Sequence, residues 1–415
     1  MMVEKRTPLP VINAVERVLE CALSLGTEKV ELEESFGRIL AEPIIASSDV
    51  PPFDRSPYDG FAIRSVDSVG ATGDNRIAFK VIDHIGAGEV STKKLAAFMA
   101  IRIMTGAQLP EGADAVVMFE QSVETEESIT IRKPFKALEN VSLQGEDLRK
   151  NEVVINSGSY INPGTIALLA TFGYSQVLVA KQPIVGILST GTELLAVNEE
   201  LEPGKIRNSN GPMIVAQLKR MGIRCKMYGI SIDQLDESYE VVKKAATETD
   251  CLITTGGVSV GDFDFLPAIY ERLGAEVLFN KVAMRPGSVT TVAVANGRYL
   301  FGLSGNPSAC FTGFELFVRP ALLKMMSASK PYLPHTTARL GEDFTKANPF
   351  TRFVRALYNG ETVSPAGFNK SNAVSSIARG NALIVLPGGT RGYQSGDLVD
   401  VLLLGMEEGS DKWKL

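Results

Sequence analysis

Two aspartates, Asp54 and Asp59, lie in a stretch whose sequence favours a rigid loop, PPFDRSPYDGFA at 51–62. Proline fixes the backbone φ angle, and an Asp-Gly pair tolerates the positive φ of a tight turn. A hairpin that packs its aromatic side chains on a neighbouring surface is the ordinary interpretation of such a stretch. A catalytic carboxylate also needs rigid support, so Asp59 is a candidate for acid–base or metal chemistry.

A second candidate is the stretch TTGGVSVGDFDF at 254–265. Gly256 and Gly257 would let backbone N–H groups approach and hold a phosphate. Asp262 and Asp264 are oxygen ligands of the kind that Mg²⁺ takes beside a substrate phosphate. A tight strand-to-helix turn with acidic residues explains the same residues equally well.

The same stretch contains Gly257-Val258-Ser259-Val260-Gly261, which matches the G-x-S-x-G elbow of serine hydrolases. His335 follows later in the chain, in the expected order. The elbow requires a helix that starts at the serine, and two aspartates and a proline crowd the next turns. A serine hydrolase therefore remains the second enzymatic hypothesis.

Three further segments carry residues that could act chemically. Thr105 precedes a turn in MTGAQLPEGADAVVMFE, Asp147 and Arg149 lie in GEDLRK, and TRFVRA alternates so that Arg352 and Arg355 point to opposite faces of a strand. Each has an ordinary explanation: a hairpin connection, a solvated ion pair and an edge charge. An anion ligand is the alternative for Arg355, which shares a face of the strand with Phe353.

The elements that must position these residues change along the chain. Periodicity predicts a helix over 11–25 that ends at Gly26, then an irregular β-rich region over 27–180. In 183–327, apolar strands alternate with helices at 211–221, 235–248 and 306–326, which predicts a parallel α/β sheet. Ligands bind beyond the carboxyl ends of such strands, where the loops here hold most of the conspicuous Gly, Ser, Thr and Asp. A boundary at 327–335 introduces a small C-terminal β domain.

Composition limits the classes of protein that the chain can belong to. Its 415 residues suggest several domains, and a net charge of −6 argues against a general nucleic-acid or membrane surface. The four cysteines are scattered among apolar neighbours and only two histidines occur, which argues against disulfides and a His-based metal site. The charged first residues do not resemble a signal peptide, and no apolar run has the length of a membrane span. These features predict a cytoplasmic protein.

The segments together resemble the molybdopterin molybdenumtransferase family, which includes the gephyrin E domain. The resemblance covers almost the whole chain and includes LGTEKVELEESFGRILAEPIIASSDVPPFDRSPYDGFA, MTGAQLPEGADAVVM, STGTEL, TTGGVSVGDFDF, MRPGS, GLSGNP and KSNAVSSIARGNALIVLP.

The resemblance implies an α/β multidomain fold. It comprises a doubly wound molybdopterin-binding α/β domain (7–26 and 182–328), a linker and dimerisation domain (27–45 and 146–181), a β-rich inserted domain (46–145) and a C-terminal β-barrel-like domain (329–415). It further implies a homodimer in which the Asp59 loop faces the 183–327 sheet of the other subunit.

The implied reaction is insertion of molybdate into adenylylated molybdopterin with Mg²⁺ and release of AMP, the last step of molybdenum cofactor synthesis. Implied partners are the preceding adenylyltransferase and molybdoenzymes or their chaperones, with no nucleic acid and no membrane. Gephyrin's domain also anchors receptor peptides, so a non-catalytic peptide-binding scaffold is a third hypothesis. The full set of acids argues against it.

Site residues follow from the resemblance position by position. The catalytic set is Asp59, Thr105, Asp147, Glu193 and Asp264, of which Asp264 and Glu193 are expected to bind the metal. The substrate-binding set is Gly256, Gly257, Ser259, Asp233, Lys281, Arg285, Asn306, Arg355 and Ser371. In three places the chain departs from the family pattern: Arg55, Pro57, Tyr58 and Phe61 in the acidic loop, Arg285, Ser288 and Val289 where the family has Lys, Lys and Pro, and Ser304 for proline. With a serine at 288, positive charge for the molybdate dianion must come from Lys281, Arg285 or Arg355.

Overall fold

A computed structural model describes residues 7–231, 235–257 and 265–405. Within these ranges a π-helical turn, Phe314–Val318, joins two of the helices into one continuous element. The described helices are α1 Val11–Glu20, α2 Pro163–Thr171, α3 Asn210–Arg220, α4 Leu235–Glu248, α5 Leu266–Arg272, α6 Pro307–Gly313, α7 Arg319–Met325 and α8 Ser375–Arg379. None of these helices has the length and apolar content needed to cross a membrane.

Two helix predictions need correction. The first helix ends at Glu20 rather than Gly26, because the N–H groups of Cys21 and Ala22 bond to carbonyls three residues back and tighten the last turn. The region 27–180, predicted to be β-rich, also contains helix α2. Its start is marked by Pro163 at the first position and by Asn162, whose Oδ1 accepts a hydrogen bond from the Thr165 N–H at 2.9 Å.

The described strands are short and numerous, as turn signals throughout the sequence indicate. In chain order they are β1 Thr27–Glu31, β2 Ile44–Ile45, β3 Gly60–Ile63, β4 Ile77–Ile85, β5 Met99–Ile103, β6 Ala115–Met118, β7 Ser122–Glu124, β8 Ser128–Ile131, β9 Val153–Ile155, β10 Gln176–Ala180, β11 Val185–Thr190, β12 Leu194–Leu195, β13 Ile206–Arg207, β14 Cys225–Ser231, β15 Cys251–Thr255, β16 Glu276–Phe279, β17 Met284–Arg285, β18 Thr291–Ala295, β19 Arg298–Leu303, β20 His335–Leu340, β21 Thr351–Tyr358, β22 Thr362–Pro365, β23 Ala382–Leu386 and β24 Leu398–Leu403.

The chain divides into two compact units, and the smaller one comprises Pro43–Asn156 and Ala167–Ser175. Its main sheet has the strand order β6-β3-β5-β4-β8-β7. Strand β3 is buried along its whole length, and Phe61 packs with Phe79 and Val117 in the core of this unit. The strand that directly follows Asp59 is therefore anchored in a hydrophobic core.

The larger unit comprises Met1–Glu42, Ser157–Ile166 and Gln176–Leu415, and contains a six-stranded sheet of order β14-β11-β15-β19-β18-β16. The pairings β14–β11, β11–β15 and β15–β19 are parallel, as predicted. The sheet is mixed rather than wholly parallel, because β18 runs antiparallel to both of its neighbours. Asn296 and Gly297, both at positive φ, connect β18 to β19 in a tight hairpin.

The C-terminal strands close on themselves. The order β21-β22-β20-β24-β23 is completed by a second pairing of β21 with β23, which gives a five-stranded barrel. Strand β17, from the loop that follows β16, adds to the outside of this ring in parallel to β21. The predicted fold class, a doubly wound α/β domain with β-rich parts and a C-terminal barrel, is confirmed. The four-part domain division stays a prediction.

Candidate functional site

Asp59 is exposed, and its carboxylate is held by one neighbouring residue. Oδ1 accepts a hydrogen bond from the Thr105 backbone N–H at 2.7 Å and another from the Thr105 hydroxyl at 2.8 Å. The sequence placed these two residues in separate loops, and the structure brings them together. One oxygen, Oδ2, makes no hydrogen bond within the described residues and is left for a ligand, a proton or a cation.

The loop that carries Asp59 is fixed by backbone pairing to the loop that carries Thr105. Ser56 donates from its N–H to the Ala107 carbonyl at 3.1 Å and accepts from the Gly106 N–H at 2.8 Å. The Ser56 hydroxyl, fully buried, donates to the Tyr58 carbonyl and closes the turn before Asp59. These hydrogen bonds add to the rigidity that the prolines suggested.

Arg102 adds a minor positive charge to the environment of Asp59. Its guanidinium lies 4.5 Å from the centre of the Phe119 ring and 5.6 Å from that of Phe61, and it pairs with Glu124. The two hydrogen bonds from Thr105, backbone first, lower the pKa of Asp59, and the Arg102 charge adds to them. Asp59 is therefore a stable carboxylate at neutral pH rather than a proton donor.

Asp147 also belongs to the smaller unit and is exposed. Its backbone N–H donates to the Val50 carbonyl at 3.0 Å, just before the prolines of the Asp59 loop. In the described ranges it forms no ion pair with Arg149, so the solvated pair of the sequence interpretation is not present.

In the larger unit, loops meet at the carboxyl edge of β11, β15 and β19. A Cβ atom on Gly256, which has φ +92°, would lie 2.4 Å from the Thr190 carbonyl oxygen. Gly305, after β19, lies against the Gly256 Cα. Only glycine allows the three loops to approach so closely, so Gly256 has a packing role in addition to the predicted binding role. Gly257 is at φ +63° beside the Thr190 hydroxyl.

A buried polar network below these loops was missed by the sequence interpretation. Asn208 donates to the Ser189 hydroxyl at 2.9 Å, and Asn210 donates to the Gly305 carbonyl at 2.8 Å. The Oδ1 atom of Asn210 is buried and makes no hydrogen bond with the described residues. The run NSNG at the start of α3 is the signal that could have indicated it, since Asn and Ser favour caps and turns.

Glu193 is the one member of the predicted metal pair that the structure describes. It is exposed, follows β11 at the same edge of the sheet, and forms no ion pair in the ranges described above. No group of three or more His, Cys, Asp or Glu suited to a metal occurs among the described residues. Asp233, Ser259 and Asp264 lie outside the described residues.

The loop after β16 brings two of the predicted cations to this edge. Lys281 is half-buried, and its carbonyl accepts a hydrogen bond from the Leu9 N–H at 3.0 Å. Arg285 is exposed on β17, where it is the register partner of Arg352 on the barrel strand β21. The barrel thus contributes a second arginine beside the loop.

Arg355 is the most deeply buried predicted cation, with 1% of its surface exposed. Its Nε donates to the Ser376 hydroxyl at 3.1 Å, and Nη2 donates to the Lys370 carbonyl at 3.2 Å. No carboxylate pairs with it within the described part of the chain, and burial lowers its pKa to about 10. A buried guanidinium without a counter-ion is a strong anion ligand.

Ser371 and Asn306 lie close to each other and to the Arg355 segment. The Ser371 carbonyl accepts a hydrogen bond from the Ser308 N–H at 3.0 Å, and Asn306 is the cap of the helix that contains Ser308. Both predicted residues are exposed. Barrel and α/β sheet therefore share this group of substrate-binding candidates.

The hydrolase hypothesis finds no triad in the described part of the chain. The helix that follows the G-x-S-x-G stretch begins at Leu266, with Phe265 outside it. His335 lies on the barrel strand β20 and hydrogen-bonds to Asp400 at 2.8 Å.

Comparison with known proteins covers the whole of this architecture. Three family models match: "MoeA N-terminal region (domain I and II)" over 9–173, "Probable molybdopterin binding domain" over 186–324 and "MoeA C-terminal region (domain IV)" over 337–404. Curated proteins of Staphylococcus epidermidis and Staphylococcus aureus named molybdopterin molybdenumtransferase are each 60% identical over 407 residues, 97% of both chains. The chain belongs to the molybdopterin molybdenumtransferase family.

A solved structure supports the assignment of this chain to the molybdopterin molybdenumtransferase family. The molybdopterin biosynthesis moeA protein of Pyrococcus horikoshii OT3 superposes with a TM-score of 0.84 at 30% identity, covering 96% of this chain and 100% of that one. The predicted family and enzyme class, a transferase, are confirmed. The hydrolase and scaffold hypotheses gain no support from these relatives, whose names describe a transferase and a biosynthetic protein.

Proposed function

We propose that this protein inserts molybdate into adenylylated molybdopterin and releases AMP, the last step of molybdenum cofactor biosynthesis. The observation that carries the proposal is the 60% identity, over 97% of both chains, to curated molybdopterin molybdenumtransferases. The geometry agrees with it, because exposed acids, close-packed glycine loops and cations without carboxylate partners suit a substrate that combines a phosphoanhydride with an oxyanion.

The reaction places two demands on the site. The dithiolene sulfurs form bonds to molybdenum as oxygen ligands leave as water, and water cleaves the phosphoanhydride so that AMP departs. No net electron transfer occurs, so the protein must bind anions and move protons. Asp59, held ionised by Thr105, is suited to accept a proton from water or to hold a cation near the phosphate.

The cations of the larger unit have the anion-binding role in this proposal. Lys281 and Arg285 come from the loop after β16, and Arg355 comes from the barrel. Ser288 donates at most one hydrogen bond in this loop. The predicted polar ligands Asn306 and Ser371 lie beside the Arg355 segment, where they would orient the substrate.

We assign Mg²⁺ binding to Glu193 together with Asp264 in this proposal. The chemistry of the donor fits a hard cation: Glu193 presents an exposed carboxylate at the sheet edge, and Mg²⁺ commonly takes one or two carboxylates plus substrate phosphates. When bound, such an ion neutralises developing charge on the phosphoryl oxygens. Equilibrium dialysis with Mn²⁺ as a probe should show weaker binding by Glu193→Gln than by the wild type.

The homodimer and the cytoplasmic location belong to the same proposal. Four free cysteines, two of them buried with raised pKa, suit a reducing compartment. Sedimentation should give twice the 44.7 kDa chain mass. Mixing inactive Asp59→Asn and Asp264→Asn chains should restore partial activity if the two residues act across subunits. No recovery after proven subunit exchange would contradict that arrangement.

The deciding experiment is incubation of the purified protein with adenylylated molybdopterin, Mg²⁺ and molybdate. We expect AMP release that depends on molybdate, and a product that reconstitutes a molybdenum-free apo-enzyme. Substrate that stays intact under these conditions, with the protein folded, would contradict the proposal.

A further inference from the structure

Arg285 and Arg352 form a like-charge pair at the edge where the loops of the α/β sheet meet the barrel. They are register partners on the adjacent parallel strands β17 and β21. Within residues 7–231, 235–257 and 265–405, neither arginine forms an ion pair with a carboxylate. Two neighbouring positive charges repel each other, so the pair has an electrostatic cost that a bound anion would relieve.

Arg352 is held in a fixed position. Its Nε donates to Oδ1 of Asn348 at 2.8 Å, and its guanidinium lies 5.5 Å from the centre of the Phe344 ring. Asn348 is 1% exposed, and its amide nitrogen donates to the Thr390 hydroxyl at 3.1 Å, so the amide is oriented with its oxygen toward the arginine. A buried amide thus orients Arg352 by one nitrogen only.

The two terminal nitrogens of Arg352 make no hydrogen bond with any described residue. They form the planar fork that matches two oxygens of a tetrahedral anion. Burial and the Arg285 charge lower the pKa of Arg352, yet a guanidinium stays charged at neutral pH. The loop 283–290 itself has a single cation, Arg285, whose one positive charge does not balance the two negative charges of a dianion.

We propose that Arg352, oriented by Asn348, acts with Arg285 as a binding site for a doubly charged tetrahedral oxyanion and sets the affinity of the site for it. This inference rests on the proposed function, in which the oxyanion is either free molybdate or a phosphoryl group of the nucleotide substrate. Arg355 belongs to the opposite face of β21, so Arg352 adds a contact that the buried arginine does not make.

The test is direct binding of molybdate and of AMP by calorimetry, without turnover. Arg352→Gln should raise the Kd of at least one of them by roughly ten- to a hundredfold, the range for a charge-assisted hydrogen-bond pair. Arg352→Lys keeps the positive charge without the planar fork, so its Kd should lie between those of the wild type and Arg352→Gln. Arg339→Gln is the matched control, because Arg339 is an exposed barrel arginine whose side chain bonds, among the described residues, only to the Gly396 carbonyl.

A second variant separates binding from barrel stability. Asn348→Asp places a negative charge beside the Nε of Arg352, so oxyanion affinity should fall. Because aspartate also lacks the amide that donates to Thr390, the melting temperature is measured as well, and affinities are compared at a temperature where both proteins are folded. If Arg352→Gln loses affinity for molybdate alone, the arginine pair binds the free oxyanion. If it loses affinity for AMP alone, the pair binds the phosphoryl group. Unchanged affinity for both in Arg352→Gln would overturn the inference. A wild type that binds the oxyanion through Arg352 but releases no AMP would refute the proposed function alone.

Discussion

Replacement of Gly60 by alanine tests whether the sheet fixes the position of the Asp59 carboxylate. An added Cβ would lie 2.1 Å from the Val117 carbonyl oxygen and 2.9 Å from its carbon. Gly60 pairs with Met118 on β6, so the obstacle is backbone in a hydrogen-bonded ladder and not a movable side chain. To reach 3.0 Å, the shortest separation that real Cβ atoms show, β3 must move by about 0.9 Å.

Overpacking of this kind costs roughly 1–3 kcal/mol, and we expect the upper end because backbone must move. For a domain of this size the melting temperature should fall by about 10 °C. The same movement separates Asp59 from the Thr105 donors at 2.7 and 2.8 Å. A displacement near 1 Å lowers turnover by about a hundredfold.

The assays are thermal unfolding and the rate of AMP release, with Gly73→Ala as the control. Gly73 lies in the same unit, and nothing comes within 4 Å of the position that a Cβ atom would take there. That control should match the wild type in both assays. If Gly60→Ala were as stable and active as Gly73→Ala, the account of how Asp59 is positioned would be wrong.

Three other predictions concern single side chains. Thr105→Val removes one of the hydrogen bonds that lower the pKa of Asp59, so the acid limb of the pH–rate profile should move to higher pH. Thr105→Ser keeps the hydroxyl and should leave the acid limb in place. Equal pH–rate profiles for Thr105→Val and the wild type would refute the role of the hydroxyl. Lys281→Ala and Arg355→Ala should each raise the KM for molybdate roughly tenfold or more, while the affinity for the nucleotide substrate changes little. An unchanged KM for molybdate in both variants would show that the anion binds elsewhere. Ser259→Ala should keep substantial activity and a fluorophosphonate probe should leave Ser259 unlabelled, whereas stoichiometric labelling would support a hydrolase.

The sequence predicted those parts of the fold that depend on local patterns. Buried apolar runs with helices between them indicated the parallel strands, and the prolines with Asp-Gly indicated a rigid loop at Asp59. The antiparallel strand β18 was missed although Asn296-Gly297 marks a hairpin, because an apolar run alone does not show the direction of a strand. Helix α2 was missed because short β-like runs surround it.

The sequence indicated which residues belong to the candidate site, but not which of them contact each other. The contact between Asp59 and Thr105 joins residues 46 positions apart in sequence, and no local pattern encodes it. The pairing of Arg285 with Arg352 depends on a two-residue strand that no periodicity indicates. Residues such as Asn208 act through buried hydrogen bonds, which composition alone does not reveal.

The most direct test of the account is AMP release by Asp59→Asn. Asparagine tolerates the same turn and can still accept the two hydrogen bonds from Thr105, so the variant should fold and bind adenylylated molybdopterin as the wild type does. It lacks the negative charge, so we predict that it releases no AMP and makes no cofactor when molybdate and Mg²⁺ are present. Turnover near that of the wild type would contradict the claim that the Asp59 carboxylate is required for the reaction, and would leave the loop at 51–62 with only the structural role of a hairpin.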